Sequence, residues 1–274
     1  MSIFGRIVLN EPAPPAGPGP GHEAGEALQE AMLRALATHT TDQGCVDYAR
    51  LLRSGELAEA AGRARALHGV DPEALGARPA RLAFWINCYN ALALHGVITL
   101  GVRRSLWDVW NFFGRVSYRV GRHLLSLDEI EHGLLRGNRR RVLPPWPALA
   151  AGDPRRALGI EPMDPRIHFA LNCGARSCPP VGVYRDSALD GQLALAARNF
   201  VNQEVVLDSR GRVACSRLLK WYGADFGAGE ALHGFLLAHL DDGPARRALA
   251  AGRAACEVFR PYSWALAHPP AERA

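Results

Sequence analysis

The sequence predicts a mixed α/β fold of the α+β kind, a helix-rich single domain around a small β-sheet. Three observations carry this. One long apolar helical run, Pro79–Leu100, must be buried on most of its faces. Shorter amphipathic helical runs surround it, and two pairs of short apolar strands are joined by glycine-containing turns. At 274 residues the chain can bury a sizeable core, and 48% hydrophobic with 22% charged residues excludes a wholly disordered chain.

The elements follow in order. Residues Glu11–Gly21 (EPAPPAGPGPG) can form neither a helix nor a central strand, because proline lacks an N–H and glycine raises the ordering cost. Residues 1–21 are therefore expected as a flexible leader, 22–267 as one globular domain and 268–274 as a frayed tail. Glu23–Ala37 places Leu28, Met32, Leu33 and Leu36 at helical spacing. Val46–Leu52 and Glu56–Leu67 read as further helices, and Asp71-Pro72 opens another with proline in its first turn. Gly101 caps the Pro79–Leu100 helix. Ser105–Phe113 is expected as a short amphipathic helix, and Val116–Val120 with His123–Leu125 as a hairpin about Gly121-Arg122.

Ser126-Leu-Asp-Glu129 fits a capping box for a helix reaching about Arg136. Arg139–Asp164 is proline-rich and expected to be irregular. Ile167–Asn172 is expected as a buried strand ending at Gly174. Asp186 should cap a helix to Asn202. Glu204–Asp208 and Arg212–Cys215 should form a second hairpin, Leu218–Tyr222 and Glu230–Leu240 helices, and Val258–Tyr262 a last strand.

The formal charge is +5, and Lys220 is the single lysine beside 31 arginines, 32 basic residues in all. The basic excess is dispersed apart from Arg136–Arg141, so a nucleic-acid partner is not expected. No run approaches about 18 uninterrupted apolar residues, so no membrane span is expected. Without a secretory leader at Met1–Leu9, the expectation is a cytoplasmic protein whose six cysteines are mostly reduced.

The chemistry-bearing segment is Arg166–Pro180 (RIHFALNCGARSCPP). The expected strand delivers His168, Asn172 and Cys173 to a turn at Gly174, and Cys178 follows in a C-x4-C spacing. Arg176 between the cysteines can lower a thiol pKa. His168 and Cys173 have opposite parity on a regular strand and would face opposite ways. Asn87 and Asn90 interrupt one face of the apolar helix, where a buried amide must be paired. Glu131 and His132 lie on the capped helix as a candidate orienting carboxylate and base. Lys220 stands out for its compact ammonium. Arg176, Ser177 and Lys220 are the candidate ligand contacts. No C-x2-C or H-x3-H pair, phosphate loop or G-x-G-x-x-G is present, so neither metal nor nucleotide cofactor is expected.

FWINCYNALALHGV, LSLDEIEHGLLR, DPRIHFALNCGARSCPPVGVY and SRLLKWYGADFG resemble, in that order, the successive motifs of the domain-of-unknown-function 547 family, over about Val46 to Ala267. The resemblance implies a mixed α/β domain carrying Asn87, Asn90, Glu131, His132, His168 and the Asn172–Pro179 loop. It brings no settled activity; some relatives bear labels of electron transport or glutaredoxin-like character, which C-x4-C spacing supports poorly.

Three functions compete. A cysteine-dependent hydrolase or acyl transferase would use Cys173 as nucleophile, with Cys178 in reserve. His168 or His132 would be its base, and Asn87, Asn90 or Glu131 would orient that base. By analogy with papain- or transglutaminase-like cores, Cys88 on the helix would take the nucleophile's place. A thiol-redox protein would use Cys173 with Cys178. A module binding a small molecule or peptide would use the cysteines structurally.

Overall fold

The computed structural model describes residues 5–13, 21–141, 144–227, 229–251, 256 and 258–270. The expected leader therefore lies partly outside the described residues (1–4 and 14–20), as does the end of the expected tail (271–274). The fold is α+β, with two small three-stranded sheets among many helices. It divides into two compact units. The first holds residues 1–163, 171–189 and 264–274, and the second holds 164–170 and 190–263.

In the first unit, β1 (Ile7–Val8) precedes four helices: α1 (Glu23–Thr38), α2 (Tyr48–Leu51), α3 (Gly55–Ala66) and α4 (Arg78–Thr99). After α4 come α5 (Phe112–Arg115) and the strands β2 (Val116–Val120) and β3 (His123–Ser126). The hairpin register pairs Ser117 with Ser126 and Val120 with His123, and β1 adds to β2 in parallel. Ile7–Val8 lies within the stretch read as leader. Next to it, Asn10 is fully buried, its Nδ2 donating to the carbonyls of Ala64 and Arg119. The turn needs Gly121: its φ is +53°, and a Cβ there would sit 2.4 Å from the Val70 carbonyl oxygen.

The helix α4 is the axis of this unit. It is long and apolar enough by length and composition to cross a membrane, but 94% of its most apolar window is buried inside the fold. It packs against α1, whose Leu28, Met32 and Leu36 are buried as their spacing predicts, while Leu33 is only half-buried. Gly25 of α1 makes that approach possible, since a Cβ would meet the Phe84 carbonyl at 2.9 Å.

The second unit holds α6 (Leu189–Glu204), β4 (Val206–Leu207), β5 (Val213–Ser216), α7 (Arg217–Trp221), α8 (Gly229–His239), α9 (Pro244–Ala250) and β6 (Val258–Arg260). The β4–β5 pair is the expected hairpin, and β6 joins β5 in parallel. Phe169, Phe200, Phe226, Val213 and Leu236 form its core. A disulfide joins Cys215 of β5 to Cys256, with Cα atoms 5.7 Å apart. This departs from the expectation of reduced thiols for that pair; Cys45, Cys88, Cys173 and Cys178 are free.

Four expected elements differ. Asp186 does not cap α6; it opens a 3-10 turn, Asp186–Ala188, that leads into the helix. Ser105–Phe113 is not one helix. A 3-10 turn, Leu106–Asp108, is closed by a Ser105–Asp108 capping box, and Asn111 then adopts left-handed geometry (φ 49°) before α5. Ile167–Asn172 is not a strand. Asp164 caps a 3-10 turn over Pro165–Phe169, accepting from the Arg166 N–H at 3.0 Å, and this local cap outweighs the strand preference of the apolar run. The Ser126–Glu129 box forms as read, but the backbone beyond it is a π-helical turn over Glu129–Leu135, with the Arg136 N–H donating to the Glu131 carbonyl.

Candidate functional site

The loop Asn172–Pro179 belongs to the first unit and is tied from four directions. The Asn172 N–H donates to Asn90 Oδ1 at 2.8 Å on α4. The Asn172 side chain staples the loop to itself, Oδ1 accepting from the Gly174 N–H at 2.7 Å and Nδ2 donating to the Pro179 carbonyl at 2.6 Å. The chain near its end pins the outer edge: Arg176 N–H donates to Ala265 O and Ala267 N–H to Gly174 O. Asn87, one turn before Asn90, clamps Tyr184 just past the loop, Nδ2 donating to its carbonyl at 2.7 Å and Oδ1 accepting from its N–H at 3.0 Å. Both asparagines are buried, and both hydrogen-bond the backbone of the loop or of its exit. They are positioning residues for the loop.

The turn itself brings the thiols together. Gly174 takes the left-handed conformation (φ +88°), and the Cys178 N–H donates to the Ala175 carbonyl. The two sulfurs lie 2.8 Å apart, and the Cys173 N–H donates to the Cys178 sulfur at 3.3 Å. Cys173 is buried and Cys178 half-buried. The Cys178 sulfur and burial, in that order, push the Cys173 thiol well above its usual range. The negative charge of Glu131 pushes the same way, and the Ala175 N–H opposes them. Arg176 is exposed. The Cys173 thiol thus moves in the opposite direction from the lowering that an adjacent guanidinium was expected to give.

Glu131 and His132 are both buried on the π-helical turn, a backbone feature common at functional sites. The Arg136 guanidinium lies 3.0 Å from His132 Nδ1, and since arginine can only donate, Nδ1 accepts. Glu131 Oε1 lies 3.6 Å from the same nitrogen, and Asp128 Oδ1 lies 3.9 Å from Nε2. The imidazole lone pair is therefore occupied by a cation. Burial and then the Glu131 charge raise the Asp128 carboxyl to about 6, against the lowering by Arg141.

The remaining expected site residues are dispersed. His168 belongs to the second unit, where its Nε2 meets Asp225 Oδ2 at 2.8 Å and its ring stacks on Tyr222 at 3.9 Å between centroids. The parity argument lapses with the strand that it assumed. Lys220, on α7, sets its ammonium 5.5 Å from the Phe259 ring centroid, a cation–π contact within the second unit. Ser177 is half-buried in the loop. Cys88 is fully buried, and burial raises its thiol far above the usual range, which removes the basis for a nucleophile at that helix position. Among the described residues, no group of three or more His, Cys, Asp or Glu side chains is disposed to hold a metal ion.

Sequence reasoning missed Asn172 as the loop's staple, Asp225 as the partner of His168, and Asp128. The signal for Asn172 was its place directly before Cys-Gly, since asparagine bonds its own following backbone in turns. The other two pairings join residues remote in sequence or set by an unusual helical turn.

No curated protein and no solved structure matches the chain. The segment that carries α4, the β2–β3 hairpin, the π-helical turn and the cysteine loop does match a family, whereas the Ser216–Gly227 motif lies beyond the matched residues. Residues 72–201 match the model of the family described as "Protein of unknown function, DUF547".

Proposed function

We propose that Cys173 and Cys178 form a working dithiol–disulfide pair and that the protein is a thiol-redox protein acting through the Asn172–Pro179 loop. The observation that carries this reading is the 2.8 Å separation of the two sulfurs in a loop fixed by Asn90 and Asn172. A disulfide needs only a small further approach, to about 2.05 Å. A hydrolase needs a thiolate and a base, and two features argue against both. The Cys173 thiol is raised, and His132 Nδ1 accepts from Arg136. The C-x4-C spacing ceases to be an objection once Gly174 folds the intervening residues back.

The substrate class is a small-molecule or peptide disulfide. The half-buried Cys178, as thiolate, attacks one substrate sulfur and expels the other as a thiolate. Cys173 then gives its proton to the thiolate expelled in the first step and attacks the Cys178 sulfur, breaking the mixed disulfide and releasing the second substrate sulfur as a thiolate. Two electrons pass from the loop to the substrate, and two external thiols, themselves oxidised to a disulfide, restore the dithiol.

Differential alkylation with peptide mapping in glutathione buffers of graded potential tests this. A Cys173–Cys178 disulfide should form and reverse, mapped separately from Cys215–Cys256, and Cys173→Ser should trap glutathione on Cys178. If both loop thiols stay alkylatable in oxidised glutathione, the redox reading fails. A single fast-labelling cysteine without a disulfide would instead restore the hydrolase reading.

A further inference from the structure

The first unit also contains a cavity of about 460 Å3, within the range of about 300–1,000 Å3 usual for small-molecule sites, whose lining does not include the loop cysteines. Its walls are aromatic. Trp107, 67% exposed, and Phe113 stand on one side, both set edge-on against Trp264 at 5.2 and 6.2 Å. Trp146, 57% exposed, stands in the lining as well, and its carbonyl receives the Arg141 backbone N–H and Nε at 3.4 Å.

The polar part of the lining is charged but balanced. Arg141 donates to Asp128 Oδ2 at 3.0 Å, and Arg6 makes a two-pronged contact with Glu129 at 2.7 and 2.8 Å. Arg155, outside the lining, adds a third guanidinium 3.1 Å from Glu129. The four charged lining residues are two guanidiniums and two carboxylates, already paired. An ionic ligand would have to break one of these pairs to gain a counter-charge. A neutral ligand with many hydroxyls keeps them, because carboxylate and guanidinium retain lone pairs and N–H groups beyond their mutual bonds. Two large exposed indoles are expensive to leave in water unless something flat and partly apolar covers them. A pyranose ring has that shape: C–H groups on its faces and hydroxyls around its rim.

We infer that this cavity is a binding site for a neutral saccharide, with Trp107 and Trp146 stacking on sugar rings and the Arg141–Asp128 and Arg6–Glu129 pairs hydrogen-bonding the hydroxyls. Nothing in the inference depends on the redox state of the loop.

The test is calorimetric titration of the full chain at millimolar concentrations of the neutral trisaccharides maltotriose, cellotriose, xylotriose and chitotriose. A trigalacturonate and a chitosan trimer serve as charged probes, and tryptophan fluorescence is read in parallel. At least one neutral trisaccharide should bind saturably and perturb the fluorescence, with charged trimers at least tenfold weaker. Trp107→Ala and Trp146→Ala, both at exposed positions, should each weaken binding about tenfold or more while leaving far-UV circular dichroism unchanged, and Trp85→Phe, in the buried core, serves as a fluorescence control. Failure of all four neutral probes, indifference of binding to both tryptophan variants, or equal binding of a charged trimer would overturn the assignment. So would tryptophan-dependent sedimentation with neutral phosphatidylcholine vesicles in the absence of sugar binding, which would make the indoles a lipid-facing patch.

Discussion

The Asn87→Ala substitution isolates the clamp that fixes the exit of the cysteine loop. In the native chain Asn87 satisfies both backbone groups of Tyr184, a residue only 5% exposed. Alanine leaves the Tyr184 N–H and carbonyl unpaired in a site with little access to water. An orphaned buried polar group costs about 1–3 kcal/mol, so the two together predict a loss of about 2–6 kcal/mol. Asn87→Asp should not rescue the loss, because a carboxylate accepts from the Tyr184 N–H but offers nothing to its carbonyl. Urea unfolding followed by circular dichroism gives the first readout. Native-state hydrogen exchange of the Tyr184 amide gives the second, and every 1.4 kcal/mol of loosening should speed it about tenfold. An Asn87→Ala protein within about 0.5 kcal/mol of the wild type, with unchanged protection at Tyr184, would refute the clamp. The same result would weaken the argument that α4 positions the loop.

Three further outcomes are expected. Cys215→Ser/Cys256→Ser opens a cross-link spanning 41 residues, and chain entropy puts the loss at about 4 kcal/mol, read by urea unfolding of the oxidised wild type against the double variant. His95 is buried against the Tyr118 hydroxyl at 2.8 Å, and burial, with a smaller contribution from Arg65, lowers it from 6.5 to about 4. Its stabilising effect is full above pH 6.5 and is lost as pH falls toward 4. The loss is about 3 kcal/mol and should appear in the wild-type-minus-His95→Gln stability difference, from which the opposite contribution of Asp128, intact in both proteins, cancels. With iodoacetamide under native reducing conditions, half-buried Cys178 should label before buried Cys173, and Cys88 should stay unlabelled until unfolding; rapid native labelling of Cys88 would contradict its burial.

The sequence was most informative where local rules and burial agree. Periodicity located α1, α3 and α4 because their apolar faces are also their buried faces. The Gly121 turn and the Ser126–Glu129 box were legible because each needs only neighbours in sequence. The Asn87–Asn90 face was legible too, since amides in an apolar helix demand partners, although the identity of those partners was not. Leader and strand readings were less complete. Ile7–Val8 gains its pairing from Val116 and Ser117, more than a hundred residues away. The apolar run Ile167–Asn172 satisfies strand and turn preferences alike, and the Asp164 cap selects the turn.

By itself, then, the chain determined its α+β class, the buried helix at its centre, and which residue types had to be polar inside it, because those follow from hydrophobic spacing and from the cost of unpaired amides. Tertiary structure alone decided what those residues touch. It brought the two sulfurs of a C-x4-C loop into contact, occupied the His132 lone pair with Arg136, gave His168 to Asp225, and gathered paired charges and exposed indoles around one cavity. The physical reason is that distance and charge balance between residues far apart in the chain are set by packing, and no local preference encodes them.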